Sequence, residues 1–437
     1  MTQPDTAVEA EEKHDAGVHR FAAVVVAAVF LALGHLDLVP NAMAGPADHD
    51  LVWQVESLEG KAIDSKAADV AINPASVVKL VTSLRALVTL GPDHRFETRF
   101  GTNAPGPPRD GVLGGDLVVV GGGDPDFHFE NAVLVARRLL AAGVREVRGD
   151  LVVSRSFWIG WERGSAGRES DPDKRAIQMA DRLRVAWTPS LWTSSESESW
   201  AQLASRYGWS LQAPPCVRID GALRGSEQKP AKDLVVHRSE PLLTALHRFN
   251  VFSNNDIERL DLAVGSPSGL GDFLAHRWVE DAAVTSFETS SGLGRNRITP
   301  RQIVKVLRDL HTLLKAERRT VGDLLPVLGC GESTLFELFP KLRESGVANG
   351  LAGKTGTLNT TDGGVAALAG FLPTAAGEVL FVVAAPHAGP SLKSARAAEE
   401  AWVAKLASRV GGTSGRACPE PVPTSDAKAE VEVLPIH

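Results

Sequence analysis

The sequence predicts an α/β (α+β) fold in which an antiparallel sheet is flanked by helices and interrupted by one or two smaller inserted domains. Three observations lead to this prediction. A helix pattern follows a strand pattern near residue 73, a long amphipathic helix pattern covers residues 300–316, and two β-rich runs near residue 375 form a hairpin pattern. Between the first two of these, the composition changes over residues 101–234, which we interpret as the insertion.

The first element of the main domain, residues 45–100, is a strand followed by a helix that starts at Asn73 and Pro74. Asparagine can cap a helix, and proline suits the first helical position because the N–H that it lacks has no partner there. Beyond this start, apolar residues recur at steps of three and four positions, which marks one helix face: Val77, Val81, Leu84 and Val88.

The predicted insertion has a clear first half and an unclear second half. Residues 113–125 read as a strand that runs into a glycine-rich turn, residues 132–142 as a helix, and residues 149–154 as another strand. From residue 155 to about residue 230 the sequence is rich in Trp, Ser and Pro, and its hydrophobic periodicity is weak. The pattern therefore predicts small inserted domains, but it does not identify all of their helices and strands.

The second part of the main domain covers residues 235–411. Residues 300–316 predict an amphipathic helix, with Thr299 as its cap. Residues 364–386 predict two strands joined by a tight turn, and residues 394–410 predict a closing helix.

Both ends of the chain lie outside these domains. Residues 21–33 form an apolar run of 13 residues, a length typical of a signal-peptide core and short for a membrane span. Ala42-Met43-Ala44 then offers a cleavage site, so residues 1–44 predict a signal peptide or, alternatively, an uncleaved N-terminal anchor. Either places the bulk of the chain in the periplasm or outside the cell. Residues 412–437, rich in Gly, Ser, Pro and Glu, predict a disordered tail.

The composition argues against several classes of partner. The formal net charge is −7 and the basic residues are scattered, so we expect no nucleic-acid partner. Neither the cysteines nor the histidines have metal-ligand spacing, so no metal or cofactor is predicted. The three cysteines leave two alternatives open, one intramolecular disulfide or free thiols only: Cys216, Cys330 and Cys418.

Three short motifs follow one another along the main domain: Ser76-Val77-Val78-Lys79, Ser253-Asn254-Asn255 and Lys354-Thr355-Gly356-Thr357. Motifs of these types occur together in serine β-lactamases and penicillin-binding proteins. A lone Ser-x-x-Lys motif is weak evidence, since Ser226 and Lys229 repeat it between Gly225 and Pro230, in a turn where no helix aligns the two side chains. Ser76 opens a helix instead, and we therefore select it.

The first motif places a hydroxyl group and a base on one helix face. Ser76 and Lys79 are three residues apart, which separates them by about one turn. A serine hydroxyl is a poor nucleophile until a base takes its proton, and a lysine acts as that base only if burial or a nearby cation lowers its pKa. Lys354 is a candidate for that cation. We predict Ser76 as the nucleophile and Lys79 as the base.

The other two motifs supply the remaining roles. We expect Ser253 to pass a proton to the leaving amine, Asn255 to hold the substrate amide, and Lys354 to attract the terminal carboxylate of the substrate. The third motif precedes the hairpin, which predicts a sheet edge where an extended peptide can pair. Its N–H groups also offer an oxyanion hole together with the N–H of Ser76, and one such donor lowers a barrier by about 2.7–4 kcal/mol. The predicted substrate-binding residues are Thr355, Gly356 and Thr357.

The chain resembles a known family over most of its length, residues 51–410. Residues 73–98, NPASVVKLVTSLRALVTLGPDHRFET, are similar to the nucleophile segment of the class C penicillin-binding proteins, the D-alanyl-D-alanine carboxypeptidase/endopeptidase family. Residues 113–125 resemble a segment early in that family's insertion, residues 290–300 a loop before a helix, and residues 351–358, LAGKTGTL, its third motif.

The resemblance implies a penicillin-recognising, transpeptidase-like or β-lactamase-like domain with smaller domains inserted between the first and second motifs. It implies a serine-type D-alanyl-D-alanine carboxypeptidase or endopeptidase that acts on peptidoglycan stem peptides through an acyl-enzyme on Ser76. β-Lactam antibiotics are then expected to be covalent inhibitors. A membrane is expected as a partner only through the possible anchor at residues 21–33.

The sequence departs from the family pattern at residues 289–294. The family loop usually reads Asp-Gly-Ser-Gly-Leu-Ser, whereas this chain has Thr-Ser-Ser-Gly-Leu-Gly. The change puts substrate contacts from the loop in doubt, and it motivates the alternative of a catalytically weak or inactive peptidoglycan-binding scaffold. A β-lactamase is the weaker alternative, because it requires fast deacylation and the sequence offers no additional carboxylate motif for it.

Overall fold

The computed structural model describes residues 50–161, 169–278, 285–389 and 392–435. The predicted export segment, residues 1–44 with its apolar run, lies outside the described residues. In the ranges that are described, no helix has the length and apolar character needed to cross a membrane.

The strands lie in three sheets within the described ranges. In chain order they are β1 (Val52–Ser57), β2 (Ala62–Lys66), β3 (Glu97–Thr102), β4 (Val112–Leu113), β5 (Leu117–Val120), β6 (Glu146–Val147), β7 (Leu151–Val153), β8 (Arg218–Ile219), β9 (Leu223–Gly225), β10 (Lys232–Arg238), β11 (Ala352–Leu358), β12 (Val365–Thr374), β13 (Gly377–Ala385) and β14 (Glu430–Val433). The sheets have the orders β11-β12-β13-β1-β2, β14-β10-β3-β5-β7-β9 and β4-β6-β8.

The α-helices cover these sheets. In chain order they are α1 (Lys79–Leu90), α2 (Phe129–Ala141), α3 (Pro172–Ala186), α4 (Ser194–Tyr207), α5 (Leu242–Val251), α6 (Asp261–Val264), α7 (Ser268–Arg277), α8 (Pro300–Ala316), α9 (Thr334–Leu338), α10 (Pro340–Ser345) and α11 (Leu392–Arg409). Short 3-10 turns accompany them, of which two matter for the site: Ala75–Val78 and Asn255–Leu260.

The five-stranded sheet confirms the predicted antiparallel sheet flanked by helices. Its strand pairs run antiparallel, with the hairpin of β12 and β13 at its centre and β11 at one edge. Helix α8 begins after Thr299, whose side chain accepts a hydrogen bond from the N–H of Gln302, as the capping pattern predicts. The predicted closing helix is α11.

Alternate residues of β12 face two separate cores, as expected for a pleated strand. Ala367, Ala369 and Phe371 belong to a core shared with α1, α5 and α8. Leu368 and Leu372, from the other face, belong to a core shared with α11. Val77, Val81 and Leu84 join the first core as predicted, whereas Val88, in the last turn of α1, is exposed.

The six-stranded sheet has a third core, which lies within the predicted insertion. Strands β3 and β10, at the two ends of the insertion, pair antiparallel, with Phe100 opposite Val235. Strands β5, β7 and β9 continue the sheet in parallel, and α2 and α3 pack against it. The division of the chain into residues 45–100, 101–234 and 235–411 stays a prediction.

Helices α3 and α4 lie in the stretch where the sequence pattern gave no helix. Helix α3 has its N-cap at Asp171, and α4 begins with a capping box between Thr193 and Glu196. Their buried residues include small ones such as Ala176 and Ala204, so the aliphatic periodicity that usually reveals a helix is weak.

The prediction of a disordered tail, residues 412–437, was wrong for the described part of that segment. Cys418 forms a disulfide with Cys330, and Asp426 pairs with Arg206 at 2.8 Å. Strand β14 adds to the edge of the inserted sheet, next to β10. The composition is that of a segment without a hydrophobic core of its own. Its contacts with the main domain and with the region of the inserted sheet keep it ordered. Cys216 is exposed and is the free cysteine.

Candidate active site

Ser76 lies in a strained turn that opens the first helix. The turn Ala75–Val78 is a 3-10 helix, and α1 begins only at Lys79. Ala75 has a φ angle of 48°, which is uncommon for a residue with a side chain. The Asn73 side chain accepts a hydrogen bond from the Ala75 N–H at 3.0 Å and so holds this conformation. The Asn-Pro start signal thus fixes a turn that presents Ser76 to solvent.

Lys79 is completely buried behind Ser76. Its Nζ lies 3.0 Å from Ser76 Oγ, 2.8 Å from Asn255 Oδ1 and 2.7 Å from the carbonyl oxygen of Ser291. An amide oxygen and a carbonyl oxygen are acceptors only. A neutral amine has two N–H groups for these two oxygens, and its lone pair then points at the Ser76 hydroxyl. The contacts therefore suit a lysine that accepts a proton from the serine.

The second motif lies opposite the first. Ser253 has a φ angle of 55°, and the Asn254 side chain accepts from the Asp256 N–H at 2.8 Å, which starts the 3-10 turn Asn255–Leu260. Lys354 Nζ donates to Ser253 Oγ at 2.9 Å and to the Thr355 carbonyl oxygen at 2.8 Å. Each of the two buried lysines therefore contacts one serine hydroxyl.

The third motif forms the edge strand β11, as predicted, and passes close to the serine turn. A Cβ atom at Gly356 would lie 2.5 Å from the Pro74 carbonyl oxygen and 3.3 Å from the Ser76 nitrogen. Only glycine allows this approach, which brings β11 at Gly356 against the serine turn. The hydroxyl of Thr357 accepts from Arg396, which also donates to the Gly356 carbonyl oxygen.

An open cavity of about 540 Å³ joins these motifs and continues towards α9, α10 and α11. Five of the eight predicted site residues line it: Ser76, Ser253, Asn255, Thr355 and Thr357. Lys79 and Lys354 lie buried behind the two serines, and Gly356 packs against the serine turn. The structure thus brings all eight predicted residues together, although the role of each one stays a prediction.

The second Ser-x-x-Lys copy has a different environment. Ser226 Oγ accepts from the Gln228 N–H at 3.2 Å in a surface turn, and Lys229 is exposed. The local context therefore separates the two copies in the way that the sequence suggested.

The atypical loop, residues 289–294, supports the site from behind. Besides the Ser291 carbonyl contact with Lys79, the Thr289 hydroxyl accepts from the N–H groups of Gly292 and Gly294 at 3.1 Å. Gly292 has a φ angle of 103° and abuts the Ala75 backbone, where a Cβ atom would lie 2.3 Å from the carbonyl oxygen. The loop therefore fixes both the base and the serine turn despite its changed sequence.

Sequence reasoning missed several residues that hold the motifs in place. The Thr334 hydroxyl bonds with the Thr355 hydroxyl at 2.9 Å, and Arg396 is a buried cation of α11 that reaches β11. Neither residue lies in a recognisable motif, and only the fold brings them to the third motif. Arg396 pairs with the buried Glu399 of the same helix at 2.7 Å, and the pattern of apolar residues gave no signal for this pair.

Two partly buried carboxyl groups lie on the Lys79 side of the site. Burial raises the pKa of Glu258 to about 7, and the nearby charge of Asp261 adds to this shift. Burial likewise raises the pKa of Asp261 to about 6, partly offset by a hydrogen bond from Ser290.

A comparison of the sequence with known protein families gives one match that covers most of the chain. The D-Ala-D-Ala carboxypeptidase 3 (S13) family matches residues 48–177 and 216–406. The chain belongs to this family. The gap between the two matched ranges includes α4, in the part of the insertion that also lacked a clear sequence pattern.

Curated relatives carry names of the same kind as the family. A D-alanyl-D-alanine carboxypeptidase from an Actinomadura species is 27% identical and covers 82% of this chain and 81% of its own length. A carboxypeptidase from Mycobacterium tuberculosis is also 27% identical and covers 78% of this chain and 77% of its own length. Together with the family match, these relatives confirm the prediction of a serine-type D-alanyl-D-alanine carboxypeptidase.

Solved structures of carboxypeptidase relatives share the fold. A predatory peptidoglycan endopeptidase from Bdellovibrio bacteriovorus has a TM-score of 0.70 at 22% identity, and the match covers 87% of this chain and 98% of that one. Penicillin-binding protein 4 from Haemophilus influenzae, in complex with a β-lactam, has a TM-score of 0.59 at 18% identity, with 83% of this chain and 97% of that one covered. The predicted penicillin-recognising fold is thereby confirmed.

Proposed function

We propose that this carboxypeptidase cleaves D-alanyl peptides of peptidoglycan through an acyl-enzyme on Ser76, with Lys79 as the base. The observation that carries the proposal is the position of Lys79 Nζ, which lies between two acceptor oxygens and Ser76 Oγ. This arrangement leaves the lone pair of a neutral amine directed at the serine hydroxyl.

Acylation begins when Ser76 Oγ attacks the carbonyl carbon before the terminal D-alanine and its proton passes to Lys79. Negative charge develops on the carbonyl oxygen, next to the N–H groups of Ser76 and Thr357. The C–N bond then breaks as Ser253 donates its hydroxyl proton to the leaving amine, and the proton that Lys79 took from Ser76 is returned to Ser253, so that Lys79 is neutral again. D-Alanine leaves, and the remaining peptide stays as an ester on Ser76.

Deacylation repeats the same exchange with water. Lys79 takes a proton from the attacking water molecule, and the new C–O bond replaces the ester bond. The shortened peptide leaves with a carboxyl group, and the proton returns to Ser76 Oγ. No metal ion or cofactor is invoked in either half of the reaction.

Substrate recognition follows from the edge strand. An extended peptide pairs with β11 through backbone hydrogen bonds while Asn255 holds a peptide amide. The terminal carboxylate meets Thr355 and Thr357 at the cavity wall and is attracted by the charge of Lys354, which lies buried behind that wall. A cross-link between two stem peptides presents the same scissile carbonyl, so the proposal includes endopeptidase activity, which supports a role in trimming or opening the wall.

The partners and the location belong to the same proposal. Peptidoglycan stem peptides are the substrates, and β-lactams acylate Ser76 because their ring amide mimics the scissile bond. Residues 1–44 export the chain to the periplasm or the cell exterior, either as a cleaved signal peptide or as an anchor at residues 21–33. The inserted domains, residues 101–234, lie beside this catalytic unit.

Mass spectrometry after benzylpenicillin treatment tests the proposal. We expect one covalent adduct, mapped to the peptide that contains Ser76, and release of D-alanine from a stem pentapeptide. Ser76→Ala must abolish both, whereas Ser226→Ala, the matched change in the second Ser-x-x-Lys copy, must leave both unchanged. A folded native protein without an adduct on Ser76 contradicts the mechanism. Muropeptide binding without any D-alanine release then favours the scaffold alternative.

A further inference from the structure

Glu258 lies one turn after Asn255 and does not line the cavity. The 3-10 turn Asn255–Leu260 carries both residues, so the same short element presents to Lys79 an amide oxygen and a carboxyl group whose charge acts on it. Helix α6 follows directly and adds Asp261, whose charge acts on Glu258. A buried lysine that has to change its charge during the reaction therefore interacts with one acidic side chain, and a second acidic side chain acts on the first.

The loop of residues 289–294 connects this acidic pair with the base. Ser291 accepts from Lys79 through its carbonyl oxygen at 2.7 Å and donates from its hydroxyl to Glu258 Oε2 at 3.3 Å. Ser290 donates to Asp261 Oδ1 at 2.6 Å, and its carbonyl oxygen accepts from Thr82. Both serines are fully buried, so the link between Lys79 and the carboxyl groups runs through ordered contacts.

Charged groups on each neighbouring element act on Glu258. Lys79 attracts its charge, while Asp261, which faces Arg85 of α1, repels it. On the other side of the 3-10 turn, Arg259 pairs with Asp256 at 2.8 Å, and this pair contacts the inserted domain through the Gly160 carbonyl oxygen. Glu258 and Lys79, and not Arg259 and Asp256, are therefore the two groups of the site whose protonation states influence each other.

We infer that Glu258 is a positioning residue of the reaction and sets the proton occupancy of Lys79 through Ser291 and through its charge. This inference rests on the proposed role of Lys79 as the base. A carboxylate at Glu258 stabilises the ammonium form of Lys79, and a protonated Glu258 favours the neutral amine that accepts the serine proton.

The electrostatics of a buried site support this role. A proton on Glu258 and a neutral Lys79 carry the same net charge as a carboxylate and an ammonium, so the interior can activate the base without gaining charge. Burial raises the pKa of Glu258 to about 7, which places its titration in the pH range where such an exchange matters. The Ser291 hydroxyl opposes this shift because it donates to the carboxylate form.

The experiment is the pH profile of Ser76 acylation by benzylpenicillin in Glu258→Gln. Glutamine keeps the size and accepts from Ser291, but it removes the negative charge that stabilises the ammonium form of Lys79. We expect the acidic limb of the acylation rate to move to lower pH by about one unit. Glu317→Gln, the same change on an exposed residue at the end of α8, must keep the wild-type profile.

Ser291→Ala gives a second, milder variant that leaves the carbonyl contact with Lys79 in place. Loss of its hydroxyl favours protonated Glu258, so the acidic limb must move in the same direction by a smaller amount. A uniform rate loss at every pH in both variants, with the limb unmoved, overturns the inference and leaves Glu258 a structural role. A wild-type protein without a Ser76 adduct refutes the proposed function itself, and adduct mapping in each variant keeps the two outcomes apart.

Discussion

The motif lysines of the main domain and an arginine next to the inserted sheet are all buried cations, but their hydrogen-bond partners differ. Lys79 and Lys354 donate to hydroxyl, amide and carbonyl oxygens. Between the insertion, α5 and the C-terminal tail, the buried Arg248 contacts two carboxyl groups instead, those of Asp126 and Glu240. In the same region the buried Asp426 pairs with the exposed Arg206.

The two kinds of partner have different consequences for a buried cation. Neutral oxygens accept from an amine as well as from an ammonium, so they hold a lysine in place while its proton moves. A carboxylate fixes the charge of its partner, and removal of one member leaves the other buried without compensation. We therefore expect changes at Lys79 and Lys354 to affect activity and changes at Arg248 to affect stability.

The largest expected effect is on activity, in Lys79→Met. Methionine fills a similar volume but takes no proton, so acylation of Ser76 should slow by roughly 10⁴-fold, the upper end for a general base. The unfolding free energy should stay equal or rise, because a buried cation is removed. Lys315→Met, an exposed matched change in α8, should alter neither quantity. Stopped-flow measurement gives the acylation rate of Ser76, and urea unfolding gives the free energy of unfolding. A large loss of unfolding free energy in Lys79→Met would contradict the expected difference between the buried lysines and Arg248.

The second effect is on stability, in Arg248→Met. The change leaves Asp126 and Glu240 without their shared cation and should lower the unfolding free energy by about 3–5 kcal/mol. Acylation of the folded fraction should keep its wild-type rate. Arg218→Met removes an ion pair in which the arginine is 62% exposed, and solvent screening should make the loss of that pair far less costly. Equal losses of unfolding free energy in Arg248→Met and Arg218→Met would contradict a special role for the buried contacts of Arg248.

The smallest effect concerns the disulfide that ties the tail to the main domain. Replacing Cys330 and Cys418 by serine together should lower the unfolding free energy by about 2–4 kcal/mol, because the unfolded chain regains the entropy of an open loop. Cys216→Ser, at the free cysteine, is the control. Denaturant unfolding with and without a reductant checks the result, and wild-type stability of the double variant would place the tail outside the stabilised region.

The sequence predicted the main domain well because its elements carry strong local signals. The cap at Thr299 and the hairpin of β12 and β13 each follow from a few neighbouring residues. The first α-helix begins at Lys79, later than the predicted start at Asn73 and Pro74, because a 3-10 turn comes between them. Helices α3 and α4 escaped prediction because small residues occupy part of their buried faces. The tail failed because its order comes from a disulfide and from strand pairing with distant residues, which no local pattern records.

The sequence predicted the site residues that belong to the three motifs and no others. The three motifs contain all eight predicted site residues, and the structure brings these eight together. Thr334 and Arg396 escaped detection because they contact the third motif through the fold alone, and Glu258 escaped because it contacts the loop at Ser291. The changed loop was taken as grounds for doubt, yet its contacts with Lys79 run through a backbone carbonyl, which a change of side chain leaves intact.

The pairing of β14 with β10 also determines the order of events when the chain first folds. Val433, close to the end of the chain, lies opposite Val235. A contact between residues so far apart in the sequence requires closure of a long loop, which costs chain entropy before any hydrogen bond between the two strands forms. We therefore expect this strand pairing to form late. Because synthesis proceeds from the N-terminus, β10 has an open strand edge until residues 430–433 have been synthesised. During that interval the nascent sheet can pair wrongly, and the pairing of β14 with β10 closes this edge.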